Sequence, residues 1–193
     1  MAEYVVPLLV FAPTLALVRR FGYRVPARMA TGLVVTMIAL IPLGEASVVT
    51  YLRGIFGDLS ITSVVLLLYW ASTHVKQTRI NASQNLIACS VVGVTGVWFY
   101  PTATGLGPFD PYALGYEPLL LSGIAATLCL ASIWIRWYLT ATCILAALIV
   151  YQLQGLPSHN LWDYLIDPLL VVFSLGYVGV KIWRRYRETP RSA

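Results

Sequence analysis

Long blocks of nearly unbroken apolar residues make up most of this chain, and short polar or Gly- and Pro-rich stretches separate them. A block of about 17–20 residues crosses a hydrocarbon core of roughly 30 Å at about 1.5 Å per residue. An amphipathic helix of a soluble domain would carry a polar face, and these blocks carry almost none. The pattern predicts an all-α membrane protein, a compact bundle of about seven transmembrane helices in one integral membrane domain, 1–193, with the N-terminus out and the C-terminus in. The helices are expected at 4–18, 27–43, 58–73, 85–100, 119–135, 138–153 and 168–183. Pro13 falls inside the first and is expected to kink it.

Three stretches need separate treatment. Segment 45–57 mixes apolar residues with Glu45, Arg53 and two glycines, and reads as interfacial or re-entrant. Segment 101–118 holds four prolines and three glycines, which disfavour regular helix and favour tight turns. The apolar run 119–153 is about twice one span, and the chain is expected to turn near Arg136-Trp137-Tyr138 although no Gly or Pro marks the place.

Charge then orients the bundle. Of the 13 Lys and Arg residues, all except Arg53 fall on one side, and of the 8 acids all except Glu188 fall on the other. The positive-inside rule places the basic side in the cytoplasm. It also accounts for the net charge of +5, so nucleic acid is not an expected partner. The first apolar block follows Glu3 and precedes Arg19 and Arg20, the reverse of a signal peptide. Cys89, Cys129 and Cys143 lie inside apolar blocks without paired spacing and read as small core residues. The expected location is a bacterial inner (plasma) membrane.

The outward side gathers the candidate chemistry. Glu45, Arg53, Asp58, Asp110, Tyr112 and Trp162 are candidate contacts for a lipid or other ligand. Carboxylates among aromatic rings suit a polar or cationic head group, while Trp and Tyr at this depth also form ordinary interfacial belts. Arg53, the one basic residue on the acidic side, could pair with a neighbouring acid or hold a phosphate. His159, Asp163 and Asp167 are spaced to share one helix face and could act as a base or hold a divalent cation. Against that, Asp167 precedes Pro168, a position that avoids helical geometry, and Asp-Pro is a natural helix start. No cofactor is otherwise indicated.

Absent patterns narrow the field. HExxH, GxSxG, CxxC and P-loop motifs are missing, and no internal repeat suggests an inverted-repeat transporter. Two readings remain open. One is a non-catalytic membrane component that binds an envelope lipid, a lipid-linked intermediate or a small solute, or serves as a subunit of an envelope assembly, with membrane lipids and a membrane protein as partners. The other is a carboxylate-dependent enzyme acting on a lipid-linked phosphate substrate at the outer leaflet.

Overall fold

The computed structural model describes residues 7–44, 46–76 and 81–188. Among them the chain is mostly helical and all-α in class. The helices are α1 (Leu8–Arg20), α2 (Val25–Leu40), α3 (Val48–Phe56), α4 (Ile61–Lys76), α5 (Ala82–Ala103), α6 (Pro118–Trp134), α7 (Tyr138–Gln152), α8 (Trp162–Leu165) and α9 (Pro168–Glu188). Two short strands, β1 (Pro42–Leu43) and β2 (Ala46–Ser47), pair antiparallel between α2 and α3.

Each of the seven expected stretches coincides with a helix, namely α1, α2, α4, α5, α6, α7 and α9. Among the described residues, α5 alone is long and apolar enough to cross a membrane by itself. Its 22 residues rise about 33 Å. Five other apolar helices are 10–17 residues long, and α9 ends in a basic turn that includes Arg185 and Arg187. Segment 45–57 contains β2 and the amphipathic α3; Glu45 and the Arg53 side chain lie outside the described residues.

Helix ends follow local chemistry that the apolar pattern hides. Helix α4 starts at Ile61 rather than Asp58, because Ser60 caps it: the Ser63 N–H donates to Ser60 Oγ at 3.2 Å. Helix α5 runs through Pro101 to Ala103, three residues past its expected end at Tyr100. A proline in the last turn removes only one donor, and Phe99 is buried there. Helix α6 ends as the Arg136 N–H reaches the Ile133 carbonyl (3.0 Å) and the Trp137 N–H the Ser132 carbonyl (2.7 Å). That is a Schellman closure with Arg136, at φ 62°, in the place glycine usually takes.

The core lies where α4, α5, α7, α8 and α9 meet, around Leu66, Ala147, Leu161 and Tyr164. Helices α5 and α9 approach closely because Gly96 lacks a side chain; a Cβ there would sit 2.4 Å from Val171 Cγ2. Helix α7 packs against α4, α5 and α6, while α2 leans mainly on α1.

Side-chain hydrogen bonds define two ends of the bundle. At one end, Gln84 at the start of α5 donates to the Arg136 carbonyl (2.7 Å) and accepts from Leu139 N–H (3.3 Å), tying α5 to the α6–α7 turn. Trp70 Nε1 donates to Asn85 Oδ1 at 2.8 Å, bringing the end of α4 to the same place. At the opposite end, the starts of α4 and α9 meet through Ser60 and Asp167.

Candidate functional site

The acidic end is built from two connections, 104–117 between α5 and α6 and 153–167 between α7 and α9. They lock together by side chain to backbone hydrogen bonds. Trp162 Nε1 donates to the Pro111 carbonyl (2.8 Å), Asn160 Nδ2 to the Tyr112 carbonyl (3.0 Å), and Leu161 N–H to the Gly115 carbonyl (3.1 Å). The Tyr164 hydroxyl is fully buried, 3.0 Å from the carbonyl oxygens of both Leu156 and Ser158. These bonds satisfy backbone groups that a buried irregular loop would otherwise leave unpaired.

Asp167 is the anchor beneath. Only 4% exposed, its Oδ1 accepts from Leu170 N–H at 2.8 Å and so caps α9. Its Oδ2 accepts from Ser60 N–H (3.0 Å), Ser60 Oγ (2.7 Å) and Ser63 Oγ (2.5 Å). Asp163 is half-buried and accepts from the hydroxyls of Tyr112 (3.2 Å) and Ser158 (2.5 Å). The Tyr112 phenol is pushed above its usual range, first by burial and then by the Asp163 carboxylate and the neighbouring Tyr116. At neutral pH it is therefore a donor.

Between these groups lies a cleft of about 490 Å³. Its chemistry-bearing walls are Asp58, Tyr100, Tyr112, Ser158, Asp163 and Asp167, with the Phe99 ring beside them. Phe99 stacks obliquely on Trp162, ring centroids 4.5 Å apart. Among the described residues the lining holds three carboxylates and no Lys, Arg or His.

The structure thus brings Asp58, Tyr112, Asp163 and Asp167 to one cleft. It does not bring His159 there: that residue is exposed, and its carbonyl accepts from the Tyr151 hydroxyl at 3.4 Å. The shared helix face for His159, Asp163 and Asp167 does not form, because α8 is four residues long and Ile166 at its end is extended (φ −149°, ψ 142°). Asp110 is exposed and accepts from Tyr112 N–H at 2.9 Å, a turn-forming bond within its own loop. Trp162 stands behind the cleft as the clamp on Pro111. Among the described residues no group of three or more His, Cys, Asp or Glu is placed to hold a metal ion.

Sequence reasoning did not single out Ser60, Ser63, Ser158 or Asn160. The Ser-x-x-Ser spacing at the start of an apolar block carried a capping signal, but nothing local tied it to Asp167. Comparison with known proteins returns no matching family model, no matching curated protein and no matching solved structure.

Proposed function

We propose that this chain is a seven-span membrane protein that binds, without catalysis, an envelope lipid, a lipid-linked intermediate or a small solute through the cleft at its acidic end. The membrane reading draws support from what the bundle leaves uncovered. Leu119 is 90% exposed, Val94 72%, Leu130 68% and Val172 69%, on helices that turn small or hydroxyl residues inward. Soluble monomers rarely expose contiguous apolar patches of more than a few hundred Å². The bilayer would cover these side chains, with the arginine-rich end in the cytoplasm and the cleft outside.

The cleft lining carries the ligand reading. Carboxylates and tyrosine hydroxyls beside a Phe ring favour a group that donates hydrogen bonds or bears positive charge, and disfavour a phosphate held at that point. The test is thermal stabilisation of the detergent-solubilised protein by lyso-lipids with ethanolamine, choline, glycosyl or glycerol-phosphate head groups. Stabilisation by the first three that Asp163→Asn removes is the expected outcome. Equal stabilisation by glycerol phosphate, or none by any of them, refutes the reading.

A carboxylate-dependent enzyme is the second reading, favoured by the Asp163 carboxylate lining the cleft with the Ser158 hydroxyl donating to it. Asp163→Asn would then abolish turnover while expression stays unchanged. Full function in that variant removes the enzyme reading.

A further inference from the structure

Asn85 carries a buried amide of which only one half is used. The residue is 1% exposed, and its Oδ1 accepts from Trp70 Nε1 at 2.8 Å. An indole nitrogen only donates, so the other amide atom is the NH2 group. Asn85 Nδ2 donates to no atom among the described residues. The fully enclosed side-chain atoms without partners there are the hydroxyls of Ser122, Thr140 and Ser174. Nδ2 is not one of them, so it keeps surface on the cavity that Asn85 lines. A buried donor left unpaired destabilises a fold, and this one calls for an acceptor that enters the cavity.

That cavity, about 470 Å³, lies between two packed pairs of helices, α1 with α4 and α5 with α9. Its walls include Pro13 and Ala16 of α1, Leu66 of α4, and Leu170 and Phe173 of α9. Pro13, Ala16 and Phe173 are exposed, so the cavity is a groove that opens sideways between α1 and α9. From Leu169 to Tyr177 on α9 its wall rises about 12 Å. That is most of one leaflet, half of a hydrocarbon core of roughly 30 Å. Asn85 and Trp70 close the groove at the basic end. Across antiparallel α5 and α9, Gly96 faces Val171 and Gly93 faces Leu175. Continued toward the start of α5, that register brings Asn85 level with Lys181 and Ile182. Lys181 Nζ lies over the Tyr177 ring, 5.8 Å from its centroid, and Tyr177 lines the groove. An open donor and a cation therefore stand at the same end of an apolar groove.

We propose that this groove holds one acyl chain of a phospholipid from the leaflet on the arginine-rich side, with the ester carbonyl of that chain accepting from Asn85 Nδ2 and the phosphate beside Lys181. This rests on the membrane reading above and is independent of the cleft. Ester and phosphate are neighbours in such a lipid, as the donor and the cation are here. A lysine reaches the phosphate by its long stem while its methylenes stay on apolar surface. Trp70 marks the same depth, since indoles favour the membrane interface. Water fits less well, because a buried water needs about 2–4 polar partners. Of the other polar side chains on the wall, Ser63 is engaged by Asp167 at the opposite end and the Trp70 N–H by Asn85 itself, which leaves the Tyr177 hydroxyl.

The experiment uses delipidated full-length protein in dodecyl maltoside, dioleoyl phosphatidylglycerol and its dialkyl ether analogue. Native mass spectrometry reads bound lipid, and thermal melting reads stability. Wild type should retain one ester lipid and melt higher with it. It should bind the ether lipid about three- to tenfold more weakly, the worth of one neutral hydrogen bond. In Asn85→Leu that difference between ester and ether should vanish, which loss of the Trp70 bond alone would not produce. Lys181→Gln should weaken both lipids alike. Ala16→Trp, at an exposed site on the rim, should lose the lipid with Asn85 intact. Asp163→Asn should leave lipid retention unchanged, so failure of the cleft reading is separable from failure here. Equal binding of ester and ether lipids by wild type, an ester preference that survives in Asn85→Leu, or no retained lipid overturns the proposal. So does displacement of the phospholipid by equimolar oleate or decylubiquinone, which would make a fatty acid or a quinone the occupant. A dimer that Ala16→Trp dissolves would make it a second copy and likewise overturn the proposal. Release of the chain from membranes by alkaline carbonate without detergent would remove the membrane reading, and this proposal with it.

Discussion

Removing the Asp167 carboxylate should cost more stability than any other single change at the acidic end. Asp167→Ala withdraws the acceptor from four donors at once: the N–H groups of Ser60 and Leu170, and the hydroxyls of Ser60 and Ser63. Loss of a helix cap alone costs about 0.5–2 kcal/mol. Each further buried donor left unpaired adds about 1–3 kcal/mol, less where water can enter from the cleft. We take the sum as about 4 kcal/mol, which for a chain of this length lowers the melting temperature by about 8–16 °C. Ser63→Ala removes one donor and keeps the acceptor, so it should cost only about 1 kcal/mol. In the double variant the Ser63 cost should vanish, because its partner is already gone. Melting of the four proteins in one detergent measures all of this. A loss below about 1 kcal/mol in Asp167→Ala, or simple additivity with Ser63→Ala, would refute Asp167 as the joint between α4 and α9.

Three further outcomes test the surroundings of the cleft. Gly115→Ala would place a Cβ 1.8 Å from Asn160 Oδ1 and 2.8 Å from Trp162 Cδ1, so it should loosen the locked loops. We expect a loss of about 1–3 kcal/mol and new proteolytic cutting in 104–117, and unchanged cutting would count against the lock. Arg136→Gly should stabilise by about 1 kcal/mol, since a side chain at φ 62° is strained where glycine is not. A lower melting temperature in that variant would contradict this. For Tyr112, the folded value is raised above the unfolded one of about 10. Below pH about 10 both states keep the proton and the contribution is complete; above it the unfolded chain ionises first, so stability falls as pH rises. Tyr112→Phe should flatten that alkaline fall, and an unchanged pH profile would refute the assignment.

How much of this was legible in the letters depends on sequence range. The α6–α7 turn could be placed because Arg136 interrupts an apolar run that is too long for one span; its left-handed backbone could not, since Arg usually avoids it. Asp167-Pro168 was readable as a helix start, and the Leu170 N–H bond matches it. Glu117 precedes Pro118 at the start of α6 in the same way, yet its side chain makes no capping bond. The second role of Asp167 was not readable at all, because Ser60 lies 107 residues away and no local pattern encodes that pairing. Pro101 misled in the other direction: it reads as a stop, but burial of Phe99 outweighs one missing donor.

The two ends of the bundle are fastened by different chemistry, and that difference bears on where a ligand can act. At the basic end, a neutral amide, Gln84, bridges backbone groups on the α6–α7 turn, and Asn85 takes the Trp70 indole. No titratable side chain takes part in those bonds. At the acidic end the fastening runs through Asp163 and Asp167, and both carboxylates also face the cleft. A cation or hydroxyl group entering the cleft meets the same oxygens that hold α4, α9 and Tyr112 together. On the proposed function, ligand binding there would be coupled to the docking of 104–117 on 153–167, whereas the Gln84 end would stay fixed. Protection from proteolysis on binding should therefore concentrate in 104–117 and be absent at the α6–α7 turn.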